Sequence, residues 1–282
     1  MTKPLTMGAV LYDPKVSIIW EIIREFFESN GTPMDVVYFT NYEKQVEALV
    51  GGLVDIAWNS PLAWLETQHA GKNGFAAIAM RDTDCDRCTH FVVRKGSGIS
   101  TLADLRGKTI AMGAKDSPQA TLIPTEFLRA NGLEAGKDYQ VQRFDVLVGK
   151  HGDHIGGELD AFKHLASGKA AASTMLDLNW KAWTGDGTIN ASEFTILATT
   201  DHFDHCVFAV RNDFPASTKE QWLKVLFSMS YDNPKHREMM DMEGLKAWVP
   251  GRTSGYGPLD AAVDALRFYD AQGNIVASGY RP

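Results

Sequence analysis

The hydrophobic and polar positions of the chain form short apolar runs that alternate with longer amphipathic segments. The apolar run at residues 5–11 precedes residues 17–29, in which apolar side chains recur every three or four positions. This pattern is typical of a buried strand followed by a helix. Residues 35–39 and 54–58 open two further units of the same kind. Three successive strand–helix units predict a parallel sheet with helices on its faces.

A second series of strand and helix patterns occupies the rest of the chain. Further apolar runs that predict strands lie at residues 76–80, 91–94, 108–112, 139–144, 170–176, 194–200 and 206–211. Further runs that predict helices lie at residues 119–131, 157–167, 218–231, 234–248 and 259–272. The alternation of the two patterns predicts the α/β fold class.

Polar residues at the ends of the predicted parallel strands are candidates for ligand binding, because open sheets bind ligands at the carboxyl ends of their strands. Tyr12, Asn59 and Ser60 lie at such ends. Ser117 lies at another, where it suits the N-cap of a helix with Pro118 as the first helical residue. The free N–H groups and the positive dipole end of such a helix attract anions. Ordinary α/β proteins contain many capped turns, so this turn alone does not establish an anion site.

Composition and charge narrow the class of function. The 282 residues are 44% hydrophobic and 22% charged, which is ordinary for a globular protein and sufficient for two packed lobes. The net charge of -7 and the scattered basic residues argue against a nucleic-acid partner. No apolar run approaches the length of a membrane span, so we expect no membrane insertion. The common hydrolase, nucleotide-binding and zinc-protease motifs do not occur in the sequence.

The first residues and the cysteine count bear on the compartment. The chain begins with a few polar residues that lead directly into a strand, without the pattern of a signal peptide. As written, the sequence therefore predicts a cytoplasmic protein. If an export signal had been trimmed from it, the protein would belong in the periplasm or at the cell surface. Three cysteines fit reduced thiols better than a complete set of disulfides.

Several motifs follow one another in an order that resembles a known family. They are GGLVDIAW at residues 51–58, TLADLRGKTIA at 101–111, the segment 116–124, GKH at 149–151 and the small-residue strand after Gly168. The series resembles the phosphate/phosphite/phosphonate-binding family of ABC transporter substrate-binding proteins over most of residues 5–260. The resemblance implies the type 2 periplasmic-binding-protein fold, with two Rossmann-like α/β lobes, two crossover strands and a ligand cleft between the lobes.

The resemblance also implies lobe boundaries and partners. Lobe 1 would comprise residues 1–92 and 207–282, and lobe 2 would comprise residues 93–206, with the crossovers near 91–95 and 206–210. A protein of this family would work as a monomer, bind a small anionic ligand and deliver it to an ABC transporter permease.

Matching positions in the family motifs imply the roles of three side chains. Ser117 matches an oxyanion-binding serine, His151 matches a histidine of the cleft, and Asp177 matches an acidic residue that recognises an amine on the ligand. The other expected ligand-binding residues are Tyr12, Asn59, Ser60, His90, Gln119, Thr121 and His205. The chain departs from the family pattern after Ser117, where Pro118 removes a backbone donor. We therefore expect a rebuilt anion pocket.

Histidines and cysteines are clustered in three segments, which the family resemblance does not explain. The segments are Cys85-x-x-Cys88-x-His90, His151-x-x-His154 and His202-x-x-His205-Cys206. In one interpretation the cysteines are a surface pair and a small buried side chain, and the protein has no cofactor. In the other, a transition metal such as zinc or iron, or a reactive thiol, occupies a site formed by Cys85, His151, His205 and Cys206.

Two hypotheses of different class follow from these observations. The first is a solute-binding protein that closes on a phosphonate-like or other small oxyanion compound as part of an ABC-type uptake system. The second is a cytosolic lyase or synthase on the same scaffold, with His151 or His205 as the general base and Cys85 or Cys206 as nucleophile or metal ligand. We favour the binding protein, because the sequence contains no complete set of catalytic residues.

Overall fold

The computed structural model describes residues 4–153, 155–270 and 273–282. Within them the strands are β1 Leu5–Val10, β2 Met34–Phe39, β3 Ile56–Asn59, β4 Phe75–Arg81, β5 Thr89–Arg94, β6 Thr109–Met112, β7 Gln140–Arg143, β8 Ala172–Leu176, β9 Phe194–Thr199, β10 Val207–Arg211 and β11 Trp248–Pro250. The α-helices are α1 Lys15–Ser29, α2 Tyr42–Val50, α3 Pro61–Ala70, α4 Ile123–Ala130, α5 Gly156–Ala166, α6 Asp177–Gly185, α7 Ala216–Phe227, α8 Pro234–Glu243 and α9 Gly257–Ala265. None of these helices has the length and apolar character that a membrane span requires.

The chain divides into two α/β units. Unit 1 comprises Met1–Cys85, Asp204–Gly255 and Pro282, and unit 2 comprises Asp86–Phe203 and Tyr256–Arg281. The predicted lobe 1 included all of residues 207–282, whereas most of the segment after Gly255 lies in unit 2. The difference arises because α9 packs against α4 and the adjoining helical turn of unit 2. The amphipathic pattern of this helix indicates that one of its faces is buried, but it does not indicate which of the two units covers that face.

Unit 1 is built on a six-stranded sheet with the order β11-β4-β10-β3-β1-β2. Strands β1, β2 and β3 are parallel, as the successive strand–helix units predict, and β10 enters antiparallel between β3 and β4. Its core is strongly aromatic: Phe208 lies 4.6 Å from Trp58 and 4.9 Å from Trp222 between ring centroids. These buried rings hold α1 and α7 against the sheet and explain why Trp58 is part of the core.

Unit 2 repeats the same strand arrangement on a five-stranded sheet with the order β7-β6-β8-β5-β9. Strand β6 runs parallel to both β7 and β8, and β5 is antiparallel between β8 and β9. In each sheet the antiparallel strand comes from a distant part of the chain. The residues that follow β6 and β8 therefore lie at one edge of the unit 2 sheet, beside the start of β5.

Candidate functional site

The turn after β6 brings Asp116 and Ser117 to the carboxyl edge of the unit 2 sheet. Ser117 caps the helical turn that follows, and its Oγ accepts a hydrogen bond of 3.1 Å from the backbone N–H of Ala120. The predicted N-cap and the predicted position of Pro118 as first helical residue are confirmed. Because Ser117 Oγ is occupied as an acceptor, its hydroxyl proton is what it can offer to an anion.

The helical turn Pro118–Leu122 is a π-helical turn that continues directly into α4. The carbonyl of Ser117 accepts from the N–H groups of both Thr121 and Leu122, at 3.1 and 3.0 Å. Since Pro118 has no N–H and the Ala120 N–H bonds to Ser117 Oγ, Gln119 has the one backbone N–H of this turn for which the described residues provide no partner. This is a poorer anion nest than a fully exposed helix start.

Hydroxyl groups from neighbouring strands hold this turn in place. Thr89 Oγ1 donates to the carbonyl oxygen of Gln119 at 2.6 Å, and Thr174 Oγ1 donates to that of Ala120, also at 2.6 Å. Thr121 Oγ1 donates to the carbonyl of Gly113 at 3.2 Å. The ligand-binding role of Thr121 stays a prediction. Its hydroxyl proton is donated to Gly113, so only its oxygen could contact a ligand.

The segment Gly149 to Gly152 packs onto this turn. Asp116 Oδ2 accepts hydrogen bonds from the backbone N–H groups of Gly149 at 2.6 Å and His151 at 3.3 Å. Gln119 Nε2 donates to the carbonyl oxygen of Gly152 at 3.0 Å. A Cβ atom on Gly152 would overlap Ser117 Oγ and lie 2.9 Å from Gln119 Nε2. We call Asp116, Ser117, Gln119, His151 and Gly152 the Ser117–His151 cluster.

Two acceptor oxygens of the Ser117–His151 cluster are buried without a donor among the described residues: Asp116 Oδ1 and Gln119 Oε1. Burial raises the pKa of Asp116, against the opposing influence of the His151 charge and of the N–H groups of Gly149 and His151. A buried acceptor without a donor costs about 1–3 kcal/mol. A group with its own hydrogen-bond donors would satisfy these two acceptors.

His151 is fully buried and has a positive φ of 51°. Its Nε2 lies 3.4 Å from the hydroxyl of Tyr280, near the C-terminus. The same C-terminal segment is held by Lys115, whose Nζ donates to the carbonyl oxygen of Gly279 at 2.7 Å. The C-terminal segment, far from His151 in the sequence, thus contacts its imidazole, while the backbone N–H of His151 holds the residue to Asp116.

Asp177 begins α6 at the same edge of unit 2. Its Oδ2 lies 3.0 Å from Nη1 of Arg87, and its backbone N–H donates to the carbonyl of Cys88 at 3.0 Å. Asp177 Oδ1 is buried without a hydrogen-bond partner among the described residues. Arg87 was not among the predicted site residues. It lies two residues before β5, and the pairing of β5 with the end of β8 is what brings it close to Asp177, so the strand topology would have been needed to predict it.

His90 lies on β5 of the same unit and is half-buried. Its Nδ1 lies 3.0 Å from Thr199 Oγ1 on β9. Burial lowers the pKa of His90, and the charge of Asp177 acts in the opposite direction. The imidazole is thus favoured in its neutral form.

The predicted residues of unit 1 lie at the carboxyl edge of its sheet. Asn59 is fully buried; its Nδ2 donates to Thr67 Oγ1 at 3.0 Å and its Oδ1 accepts from Gln45 Nε2 at 2.9 Å. Ser60 caps α3 by accepting from the N–H of Ala63. Asn59 and Ser60 thus both have clear structural functions at this edge. Tyr12 is partly buried against the core of unit 1.

A charged cluster in unit 1 joins the end of β4 to the start of β10. Arg81 donates to Asp84 through Nε at 2.8 Å and Nη2 at 2.7 Å, and through Nη1 to Glu243 at 3.1 Å. Nδ1 of His205 lies 3.5 Å from Asp84 Oδ1 and 3.1 Å from Cys206 Sγ. Burial would raise the pKa of Asp84, but the charge and hydrogen bonds of Arg81, assisted by His205, outweigh it and hold the pKa at about 2.

The family follows from the sequence itself. Residues 16–256 match the family described as ABC transporter, phosphonate, periplasmic substrate-binding protein. The chain belongs to this family. It is a substrate-binding protein of the ABC transporter type, as the sequence predicts, and the alternative of an enzyme on the same scaffold is not the interpretation that the match supports.

Solved structures of low sequence identity confirm the predicted α/β fold of this family. The protein XAC2383 from Xanthomonas citri, bound to ATP, has a TM-score of 0.71 at 17% identity, covering 94% of this chain and 98% of that chain. PhnD1 from Prochlorococcus marinus, in complex with methylphosphonate, has a TM-score of 0.69 at 18% identity with the same coverage. The aliphatic sulphonate-binding protein SsuA from Escherichia coli has a TM-score of 0.55 at 16% identity, covering 94% and 84% of the two chains.

One curated relative shares a short segment. An uncharacterised protein from Haemophilus influenzae is 58% identical over 31 residues, which are 11% of this chain and 44% of that protein. The match therefore spans less than half of the length of that relative.

The predicted metal or thiol residues fall into different units. Cys85, His205 and Cys206 lie in unit 1, whereas His151 lies in unit 2. His205 and Cys206 are brought together with Asp84, which is not among the predicted metal ligands. Cys88 is buried, and burial, followed by the charge of Asp177, raises the pKa of its thiol. His154 lies outside the described residues.

Proposed function

We propose that this substrate-binding protein serves an ABC-type uptake system and closes on a small oxyanion that carries its own acidic proton. Phosphonates and phosphite are anions of this kind: as monoanions they have both acceptor oxygens and a P–OH donor. The ligand would be delivered to a permease partner. The observation that carries this proposal is the presence of two buried acceptors without donors, Asp116 Oδ1 and Gln119 Oε1, within the Ser117–His151 cluster.

Donors for the anion's oxygens lie in the same cluster. They are the hydroxyl proton of Ser117, the backbone N–H of Gln119 and the imidazole of His151. A bound monoanion would accept from these groups with its unprotonated oxygens and donate its P–OH to Asp116 or Gln119. The positive end of the adjoining helix favours the negative charge.

A sulfonate would leave these acceptors without donors, because its three oxygens carry no proton at neutral pH. An unsatisfied buried acceptor costs about 1–3 kcal/mol, which corresponds to about 5- to 150-fold in the dissociation constant. The buried acceptors therefore select phosphonate-like ligands against sulfonates of the same shape. The family match and the methylphosphonate complex of PhnD1 support the same ligand class.

The Arg87 and Asp177 pair supplies a second polar region at this edge of unit 2. The guanidinium offers donors to an anionic oxygen, and the buried Asp177 Oδ1 accepts from an ammonium or hydroxyl group on the ligand. This arrangement is consistent with the amine-recognising role that the family resemblance implies for Asp177. It extends the ligand class to phosphonates with an amino or hydroxyl substituent.

A calorimetric titration of the purified protein tests the proposal. The panel is methylphosphonate, 2-aminoethylphosphonate, phosphite, phosphate, methanesulfonate and sulfate at one pH and ionic strength. We expect measurable binding of the proton-carrying anions and weaker binding of methanesulfonate and sulfate. Binding of methanesulfonate as tight as that of methylphosphonate, or no binding of any phosphorus oxyanion by the folded protein, would contradict it.

A further inference from the structure

Three different metal-binding side chains converge in unit 1, in a cluster that the proposed oxyanion binding does not use. Asp84 ends the short 3₁₀ turn after β4, and His205 and Cys206 precede β10, the neighbouring strand. One carboxylate oxygen, one imidazole nitrogen and one sulfur lie within 4.8 Å of one another. The backbone fixes this approach, because the N–H of His205 donates to the carbonyl of Asp84 at 2.8 Å.

The two distances from the imidazole nitrogen come close to those around one metal ion. Zinc binds sulfur at about 2.3 Å and nitrogen or oxygen at about 2.0–2.2 Å, so tetrahedral geometry places sulfur and nitrogen about 3.6 Å apart and nitrogen and oxygen about 3.4 Å apart. The corresponding distances are 3.1 Å from His205 Nδ1 to Cys206 Sγ and 3.5 Å from Nδ1 to Asp84 Oδ1. Metal entry requires a shift of about half an ångström in the sulfur.

The arrangement differs from a catalytic triad of cysteine, histidine and aspartate. In a triad the two ring nitrogens of the histidine face different partners, so that a proton moves from the nucleophile to one nitrogen while the acid orients the other. Here the same nitrogen, Nδ1 of His205, faces both Cys206 and Asp84. Three donor atoms around one point favour a metal ion over proton relay.

The charges around the cluster also suit a divalent cation. Arg81, Asp84 and Glu243 together carry a formal charge of one negative unit, and the thiolate of Cys206 would add a second. Asp84 and Cys206 are both nearly fully buried, which makes an uncompensated pair of negative charges costly. The backbone N–H and Nε of Arg81 donate to Asp84 Oδ2 and hold the carboxylate in place, as outer partners do around metal ligands. Nη2 of Arg81 and the N–H of Cys206 donate to Oδ1, the oxygen that faces His205.

We propose that Asp84, His205 and Cys206 form a zinc(II) site in unit 1, with a water molecule as the fourth ligand. One thiolate, one imidazole and one carboxylate form a ligand set that zinc accepts and that calcium and magnesium do not favour. The site has a different composition from the predicted set of Cys85, His151, His205 and Cys206. Its test uses the metal alone, so its outcome is independent of oxyanion binding.

The experiment is metal titration of protein freed of metal with a chelator. Cobalt(II), a spectroscopic substitute for zinc, is added first, and a thiolate-to-cobalt charge-transfer band with visible bands of tetrahedral cobalt is recorded. Zinc affinity is then measured by competition with a chromophoric chelator. The variants are Cys206→Ser and His205→Gln, and the matched controls are Cys85→Ser and Cys88→Ser, which change cysteines outside the three ligands.

We expect one cobalt per chain with the thiolate band, displacement by zinc, and zinc binding at least about 100-fold weaker in both ligand variants but unchanged in both controls. Absence of the thiolate band in the unmodified protein overturns the proposal, as does zinc affinity that is unchanged in the two ligand variants. If Cys206→Ser fails to fold, the cobalt spectrum of the unmodified protein and the His205→Gln affinity decide the matter.

Discussion

The carboxylate of Asp116 accepts a hydrogen bond of 2.6 Å from the backbone N–H of Gly149. This bond ties the strand-to-helix turn of unit 2 to the segment that carries His151. In the proposed anion pocket, a carboxylate of the protein itself occupies the N–H groups of Gly149 and His151, which are then not available to a ligand. The other oxygen of Asp116 has no donor among the described residues, and the proposed selection of oxyanions rests on this acceptor.

Close packing of Gly152 on Ser117 leads to a first prediction. In Gly152→Ala the new methyl group would overlap Ser117 Oγ and displace Gln119, so we expect at least about 10-fold weaker phosphonate binding and a loss of about 1–3 kcal/mol in the free energy of unfolding. Gly168→Ala is the matched control. The φ of Gly168, 76°, is close to the φ of Gly152, 78°, and nothing lies within 4 Å of the position that a new methyl group would take. Calorimetry and urea unfolding measure both effects. Equal losses of affinity in the two variants would show that backbone strain, not contact with Ser117, is responsible.

The pairing of Arg87 with Asp177 leads to a second prediction. Arg87→Gln removes a cation from the edge of unit 2 and leaves Asp177 without its ion-pair partner, so phosphonate affinity should fall by about 10-fold or more. Arg94→Gln is the control, since Arg94 lies at the far end of β5, the strand that follows Arg87, and forms a half-exposed pair with Glu193. Isothermal titration with methylphosphonate compares the two. If both variants bind like the unmodified protein, Arg87 does not contact the anion.

Arg81 in unit 1 is expected to matter for stability. Arg81→Met would leave the buried carboxylates of Asp84 and Glu243 without their cation, and removing one partner of a buried pair typically costs about 3–5 kcal/mol. The double variant Arg81→Met/Asp84→Asn should recover part of this loss. Arg24→Met is the control, because Arg24 forms solvent-exposed pairs on α1 and its loss should change the urea midpoint little. A small effect of Arg81→Met would mean that the two carboxylates are solvated.

The depressed pKa of Asp84 gives a prediction for acid stability. The folded-state pKa of about 2 lies below the usual 3.8, so the stabilisation is complete above 3.8 and is lost as the pH falls towards 2. It amounts to about 2 kcal/mol, given about 1.4 kcal/mol for each pKa unit. Urea unfolding of the unmodified protein and of Asp84→Asn between pH 5 and 2 measures the difference. If the two curves stay parallel in that range, the ion pair does not stabilise the folded state.

The sequence predicted what depends on local pattern and could not predict what depends on long-range contacts. The N-cap at Ser117 was predictable because the cap, the proline and the apolar strand are adjacent in the chain. The hydroxyls of Thr89 and Thr174, which donate to carbonyl groups of the π-helical turn, reach it from other strands. Of the backbone N–H groups that this turn cannot offer to an anion, the sequence predicted only the one missing at Pro118.

Two ligand-site interpretations needed the tertiary structure for the same reason. Asn59 lies at a strand end, which indicates a ligand contact, but Gln45 and Thr67 already use its side chain. The assembly of Asp84 with His205 and Cys206 depends on the pairing of β4 with β10, strands more than a hundred residues apart. The residue types of His205 and Cys206 suggested a metal site. Asp84 lies in a run of acidic residues that is typical of a protein surface, so the sequence did not indicate it as a ligand.

The selection of proton-carrying oxyanions is tested most directly by Asp116→Asn. An asparagine keeps the shape and an oxygen for the N–H groups of Gly149 and His151, and places an NH₂ donor where Asp116 Oδ1 was an acceptor. The measurement is the ratio of the dissociation constants for methanesulfonate and methylphosphonate in the unmodified protein and in this variant. The control is Asp160→Asn, which changes a partly exposed carboxylate that pairs with Lys163. The ratio should favour methylphosphonate in the unmodified protein and the control, and should fall by about 10-fold or more in Asp116→Asn. An unchanged ratio in Asp116→Asn would contradict the proposed selection.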